Sequence, residues 1–124
     1  MLLCFAVERC AVSPTGDKLY ITNYRQNKLL TLARDGTLLA TLTDPALERP
    51  DGLHVTPACQ VLVCGGWSNI ILQGDSEGKS KLATLATRKR DGLSWPESVC
   101  YSSTTSSIIV GQYYNNNILV FRVE

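Results

Sequence analysis

Short runs of apolar, β-branched and aromatic residues recur along this chain. Each is about five residues long and is stopped by Gly, Pro, Asn, Asp or Ser. Lys18-Leu19-Tyr20-Ile21-Thr22, Gln60-Val61-Leu62-Val63-Cys64 and Ser107-Ile108-Ile109-Val110-Gly111 are the clearest. Such side chains fit a pleated, half-buried surface, so these runs predict β-strands. No stretch keeps the 3.6-residue period of an amphipathic helix over three turns. The pattern predicts an all-β protein.

The runs also repeat. Val12-Ser13-Pro14 returns as Val55-Thr56-Pro57, Leu19-Tyr20-Ile21 as Val61-Leu62-Val63, Asn27 as Asn69 and Gly36 as Gly78, while Leu39-Ala40-Thr41-Leu42 reappears letter for letter as Leu82-Ala83-Thr84-Leu85. These matches lie 42 or 43 residues apart. A third copy follows Pro96: Val99-Cys100-Tyr101 aligns with Leu53-His54-Val55, and Ile108-Ile109-Val110 and Asn117-Ile118-Leu119 follow at 46 to 48 residues from the second. Asp91-Gly92-Leu93 resembles Asp51-Gly52-Leu53, but the downstream strands favour Pro96 as the partner of Pro50. Strands are expected at 10–14, 18–23, 28–33 and 37–42 in the first copy, and at 52–56, 60–64, 69–74 and 81–86 in the second. The third is expected at 98–101, 107–112 and 117–123, and residues 2–7 read as the last strand of a preceding copy. Four short strands per repeat of this length is the signature of a β-propeller blade. Residues 1–124 are thus expected to form a partial propeller, with blades at 10–42 and 52–86 and a partial blade at 98–123.

Composition narrows the functions open to such an arc. With 44% hydrophobic and 19% charged residues, the chain is no disordered tail. A net charge of +1 excludes a domain that coats nucleic acid by bulk electrostatics, and leaves room for a local patch. The 124 residues hold just under three repeats, whereas closed propellers have four to eight blades. An isolated arc leaves two blade faces uncovered, so the remaining blades or self-association are expected to close the ring. Cys4, Cys10, Cys59, Cys64 and Cys100 are odd in number and irregularly spaced, a poor disulfide framework. His54, Cys59 and Cys64 are the one metal set worth naming, but no second pair follows, and cysteine also serves as a small apolar strand residue. No cofactor or metal is expected. The apolar opening Met1–Val7 stops at Glu8-Arg9, too short for a signal peptide or a membrane span. A reduced, cytoplasmic protein without membrane contact is the expectation.

The stretch Ala11-Val-Ser-Pro-Thr-Gly-Asp-Lys-Leu-Tyr-Ile-Thr-Asn-Tyr-Arg-Gln-Asn-Lys-Leu-Leu-Thr-Leu32 resembles an NHL repeat. That family's pattern is an apolar strand, a Gly-containing turn, a second apolar strand, an Asp/Asn-bearing loop, then a basic and an aliphatic residue opening a further strand. Copy two departs from it with Gly65-Gly66-Trp67 in the loop, and copy three with Gln112-Tyr113-Tyr114. The chain is most similar to the C-terminal propeller of the tripartite-motif (TRIM) proteins with NHL repeats. The resemblance implies a six-bladed, non-catalytic module that binds protein partners or RNA. Nothing in the chain corresponds to the RING, B-box or coiled coil of a ubiquitin ligase. The alternative is the gluconolactonase-like propeller hydrolases, which hold a divalent metal through Glu, Asn and Asp near the central channel. Asp17, Asp35, Asp75 and Glu77 instead fall in turns whose chemistry already accounts for them.

In the NHL family the ligand face carries the second-to-third-strand loops and the blade-to-blade connections. By that resemblance this face displays Tyr24, Arg25 and Gln26 from copy one, Trp67 and Ser68 from copy two, and Tyr113, Tyr114 and Asn115 from copy three. The connections add Arg49 and the run Arg88-Lys89-Arg90, with Trp95 beyond it. Aromatic rings interleaved with arginines suit single-stranded RNA, whose bases stack on rings while guanidinium groups hold phosphate. The plain alternatives are that Trp67 and Tyr114 pack between blades and that Arg88-Lys89-Arg90 is a solvated loop. Asn27, Asn69 and Asn117 precede the third strand of each copy, where Asn can hydrogen-bond nearby backbone and tolerate a left-handed conformation.

Overall fold

A computed structural model describes residues 7–122. Three antiparallel sheets follow one another along the chain. The first holds β1 (Val7–Val12), β2 (Lys18–Asn23), β3 (Lys28–Ala33) and β4 (Leu38–Leu42). The second holds β5 (Pro50–Val55), β6 (Val61–Gly65), β7 (Ile70–Gly74) and β8 (Lys81–Thr87). A one-turn helix, α1 (Arg88–Asp91), leads to the third, made of β9 (Pro96–Ser102), β10 (Ser107–Gln112) and β11 (Asn115–Arg122). Within each sheet the strands lie in sequence order. The opening strands β1, β5 and β9 lie side by side, so the sheets stack face to face around them.

The period-two alternation of side chains explains this stacking. On β6, Val61 and Val63 face the first sheet, where they join Tyr20, Leu29 and Leu42 in one core. Leu62 and Cys64, their neighbours in sequence, face the third sheet and join Val99, Ile108 and Val110 in another. β7 divides likewise, with Ile70 and Leu72 in the first core and Ile71 in the second. A sheet buried on both faces needs a continuous apolar run, and every residue of β6 is buried. Each of its Val and Leu side chains contributes about 1.5–3 kcal/mol on full burial. Tyr20 adds a polar tie across the same interface: its hydroxyl donates to the Ser76 carbonyl at 2.5 Å, and burial raises the phenol's pKa.

The third sheet ends differently. Leu119 and Phe121 of β11 pack against the second core, but Ile118 and Val120 on the opposite side are 68% and 63% exposed. Among the described residues β11 pairs only with β10, leaving one edge open.

Several strand bounds differ from those the pattern predicts. The first strand runs Val7–Val12, not 10–14, and Val7 pairs with Asn23 rather than closing a preceding copy. Residues 2–6 lie outside the described residues. The chain leaves the ladder at Ser13, whose N–H donates to the Lys18 carbonyl while its own carbonyl accepts from Gly16, closing a turn around Pro14. Thr56, expected at the end of a strand, makes the same turn with Gln60 and Cys59. Strands β5 and β9 start earlier than expected, at Pro50 and Pro96. Asn117 lies inside β11 rather than before it, because Tyr113 and Tyr114 form a two-residue hairpin where the other sheets have four-residue turns.

Gly52 on β5 marks the closest approach between sheets: a Cβ there would lie 2.2 Å from the backbone oxygen of Glu97 on β9. Neither backbone can retreat without breaking its own ladder. Gly52→Ala is therefore expected to cost about 3 kcal/mol or more, read as a lowered denaturation midpoint.

Candidate binding rim

The rim is built by a hydrogen-bonded clamp that appears at both sheet junctions. Asn27 and Asn69 close the turns after β2 and β6 in the left-handed region, at φ 56° and 57°. The Asn27 side-chain carbonyl accepts the backbone N–H of Arg49 at 2.8 Å, and that of Asn69 accepts the N–H of Trp95 at 2.7 Å. The carbonyls of Arg49 and Trp95 in turn accept N–H groups from the following sheet, Gly66 and Tyr113, each at 3.0 Å. Arg49 and Trp95 themselves have φ of 49° and 44°. Such a conformation costs a non-glycine residue of order 1–3 kcal/mol, offset here by two hydrogen bonds that reach neighbouring sheets. The asparagines thus act on the backbone, and Asn117, inside β11, has no such role.

The clamp gathers aromatic rings and arginines. The guanidinium carbon of Arg49 lies 4.4 Å from the Tyr24 ring centroid and 5.8 Å from that of Trp67; Arg25 lies 5.9 Å from Tyr24. Trp95 sits 5.8 Å from Tyr113 and 5.7 Å from Tyr114, and those two tyrosines meet edge-on at 4.3 Å. Between the groups lies an open cavity of about 300 Å³, lined by the four rings Trp67, Trp95, Tyr113 and Tyr114, by Arg49, and by the carboxylates Asp51 and Glu97. Tyr114, Trp67 and Tyr113 are 79%, 59% and 54% exposed.

The opening strands contribute the charges. Arg9 on β1 lies 3.9 Å from Asp51 on β5 and 3.8 Å from Glu97 on β9. The Asp51 backbone is anchored by the Thr22 hydroxyl, which donates to its carbonyl at 2.9 Å. Long, partly exposed ion pairs add little stability, but they hold the carboxylates beside the cavity.

Of the residues singled out in the sequence, Arg49, Trp67, Tyr113 and Tyr114 meet at the cavity, and Tyr24 and Arg25 join through Arg49. The run Arg88-Lys89-Arg90 does not. It forms α1, where Thr87 caps the Arg90 N–H, Asp91 pairs with the Arg90 side chain at 2.9 Å, and Arg90 donates to the Leu85 carbonyl at 2.6 Å. None of the three lines the cavity. Trp95, expected only on the connection, also lines the cavity, and Asp51, Glu97 and Arg9 join the site without local motifs that mark them. The repeated pairs Pro50-Asp51 and Pro96-Glu97 were the available signal. Gly66 lies close to the clamp: a Cβ on it would sit 3.3 Å from the Arg49 carbonyl oxygen and 3.4 Å from the Trp95 indole nitrogen.

Other candidate groups have local roles. Hydrogen bonds from Thr15 and Ser13 lower the Asp17 pKa, and one from Thr37 lowers that of Asp35. Asp75 accepts the Lys79 N–H at 2.9 Å. Cys64 is packed in the second core, where burial drives its thiol pKa far up, and Cys59 holds a left-handed turn position at φ 64°. His54, half-buried on β5, has its pKa lowered by burial. Among the described residues no three His, Cys, Asp or Glu side chains converge. A second cavity, of about 360 Å³, lies between the second and third sheets beside Pro57 and Tyr101 and has no charged side chain in its lining.

No family model matches the chain, and no curated protein matches it in sequence. Solved structures do. Hydrazine synthase of Kuenenia stuttgartiensis superposes with a TM-score of 0.78 at 19% identity, over 98% of this chain and 36% of that one. Virginiamycin B lyase of Staphylococcus aureus, in a catalytically inactive H270A form with quinupristin, gives 0.65 at 17% identity, over 99% of this chain and 43% of that one. The chain folds as a run of β-propeller blades. It spans less than half the length of either neighbour, and at these identities the likeness concerns the fold alone. Among the described residues no helix is long and apolar enough to cross a membrane.

The clamp has a direct test. Asn69→Ala leaves alanine at a positive φ and removes the acceptor of the Trp95 N–H, a loss of about 1–3 kcal/mol. Urea unfolding should show it, with tryptophan emission shifted to the red as Trp95 loosens. Asn69→Gly, which restores the backbone freedom alone, should lose less.

Proposed function

We propose that the chain is a non-catalytic binding module, a propeller arc of the NHL type, whose rim engages single-stranded RNA. One observation carries this reading: rings and guanidinium groups form a band, from Arg25 and Tyr24 through Arg49 and Trp67 to Trp95, Tyr113 and Tyr114, with Tyr24, Arg49 and Trp95 half-buried and the others exposed. Successive bases stack on such rings whatever their sequence, and arginine supplies both a planar face and a charge for phosphate. The net charge of +1 makes this band, not the whole surface, the source of affinity. The NHL and tripartite-motif part of the reading rests on the repeat residues Ala11–Leu32. The non-catalytic part rests on the turn roles of Asp17, Asp35 and Asp75, whose carboxylates are engaged by local donors.

Anisotropy titration of a labelled uridine-rich oligonucleotide tests it. Trp67→Ala or Tyr114→Ala should cost about 1–3 kcal/mol of binding each. Arg49→Ala should weaken binding and flatten its salt dependence. Arg88→Glu with Lys89→Glu should weaken it less, by a long-range effect that vanishes as salt rises. Binding that ignores Trp67, Tyr114 and Arg49 would overturn the reading.

A second reading, protein binding, is favoured by Ile118 and Val120 on the open face of β11. Exposed apolar faces of this kind mark contact sites for other chains, whether further blades or a second copy. Ile118→Lys with Val120→Lys should then abolish any self-association seen by light scattering; association that persists would remove β11 from it.

A further inference from the structure

We propose that the rim cavity is a base slot selective for guanine, an inference that rests on the RNA reading above and gives it a specificity. Its volume of about 300 Å³ is at the lower end for small-molecule sites, and three of the rings in its lining, Trp67, Tyr113 and Tyr114, are exposed. The rings Trp67, Trp95, Tyr113 and Tyr114 offer faces to any base, so stacking alone cannot choose.

The choice falls to Asp51 and Glu97, the carboxylates in the same lining. An ionised carboxylate only accepts hydrogen bonds, through two oxygens side by side. The base edge that matches it has two adjacent donors. Guanine presents these at N1–H and its 2-amino group. Adenine and cytosine each set a ring-nitrogen acceptor beside their amino group, and uracil flanks its one N–H with carbonyl oxygens. Against those edges at least one acceptor faces another acceptor, which costs affinity because a desolvated polar group is left without its bond. Glu97, with a side chain 35% exposed against 10% for Asp51, is the carboxylate a base can reach. Arg9, 3.8 Å from Glu97, steadies it from the neighbouring strand.

Charge argues for a base over a cation. Arg9 and Arg49 match Asp51 and Glu97 in number, so the cavity and its immediate surroundings form no net negative trap. Arg49, stacked between Tyr24 and Trp67 at one side, is placed to take the phosphate that joins the slotted base to its neighbour.

Trp67 and Trp95 are the only two tryptophans in the chain, and both line the cavity. Intrinsic fluorescence therefore reports entry directly. The full chain is titrated with four RNA heptamers: seven uridines, and the same strand with a central guanosine, inosine or adenosine. The expected result is quenching by the guanosine strand with at least about tenfold tighter binding than by the adenosine strand. Inosine, which keeps N1–H and lacks the 2-amino group, should fall between. The isosteric Glu97→Gln should erase the preference, so that the guanosine and adenosine strands bind alike. Equal affinities for guanosine and adenosine would overturn the slot and leave the RNA reading standing; anisotropy-detected binding without any change in tryptophan emission would overturn the slot and the stacking on the rim together. A preference that survives Glu97→Gln would overturn the role of Glu97. Failure of all four strands to bind would overturn both readings and turn the rim over to a protein partner.

Discussion

Everything in this structure depends on the face-to-face burial of one sheet against the next. The second sheet shows it most fully: adjacent residues of β6 are committed to different cores, Val61 and Val63 to one and Leu62 and Cys64 to the other. No blade of this kind has a core of its own. Its stability is that of its interfaces, which makes the arc a one-dimensional stack in energetic terms. Gly52, lacking a side chain, lets β5 approach the Glu97 backbone of β9, and that approach sets how tightly the opening strands gather. The exposed Ile118 and Val120 show what the same alternation produces on a face that no described sheet covers.

The rim follows from that stack. Once sheets are packed at a fixed spacing, the side chain of Asn27 reaches the connection into the second sheet, and Asn69 reaches the connection into the third. Equivalent positions then carry different chemistry. Arg49 and Trp95 occupy the same clamped site at successive junctions, one cationic and one aromatic, each held at a positive φ. Gly66 and Tyr113 donate the same hydrogen bond, yet one leaves room for the Trp95 indole and the other contributes a ring to it. A repeat that keeps its backbone bonds and varies its side chains is a simple way to build an irregular, chemically rich surface on a regular frame. Local strain at Arg49 and Trp95 is held by hydrogen bonds to the sheets on either side.

Much of this was legible in the chain. The all-β class, the antiparallel repeat and most strand centres follow from period-two patterns, and the turn residues Gly16 and Gly36 have the positive φ their type favours. The loop aromatics and Arg49 were visible as a band because loops carry functional groups at fixed offsets in a repeat. Strand ends were harder, since a residue such as Ser13 or Thr56 belongs to strand or turn according to which carbonyl its N–H finds. The third hairpin departs from the pattern for a related reason: Asn117 looks like Asn27 and Asn69 in sequence, but a two-residue turn moves it into the ladder. Arg88-Lys89-Arg90 looked available until the Thr87 cap and Asp91 folded it into a turn of helix.

The sequence by itself determined the repeat, the strands and which residues lie in loops, because these depend on local patterning and on turn chemistry within a few residues. Only the tertiary structure decided which of those loops meet. The pairing of Arg9 with Asp51 and Glu97 joins three strands from three sheets, and the cavity draws its rings from two sheets and the connection between them. Such contacts arise from the spacing and twist at which whole sheets pack, a property of interfaces that no single segment of the chain carries.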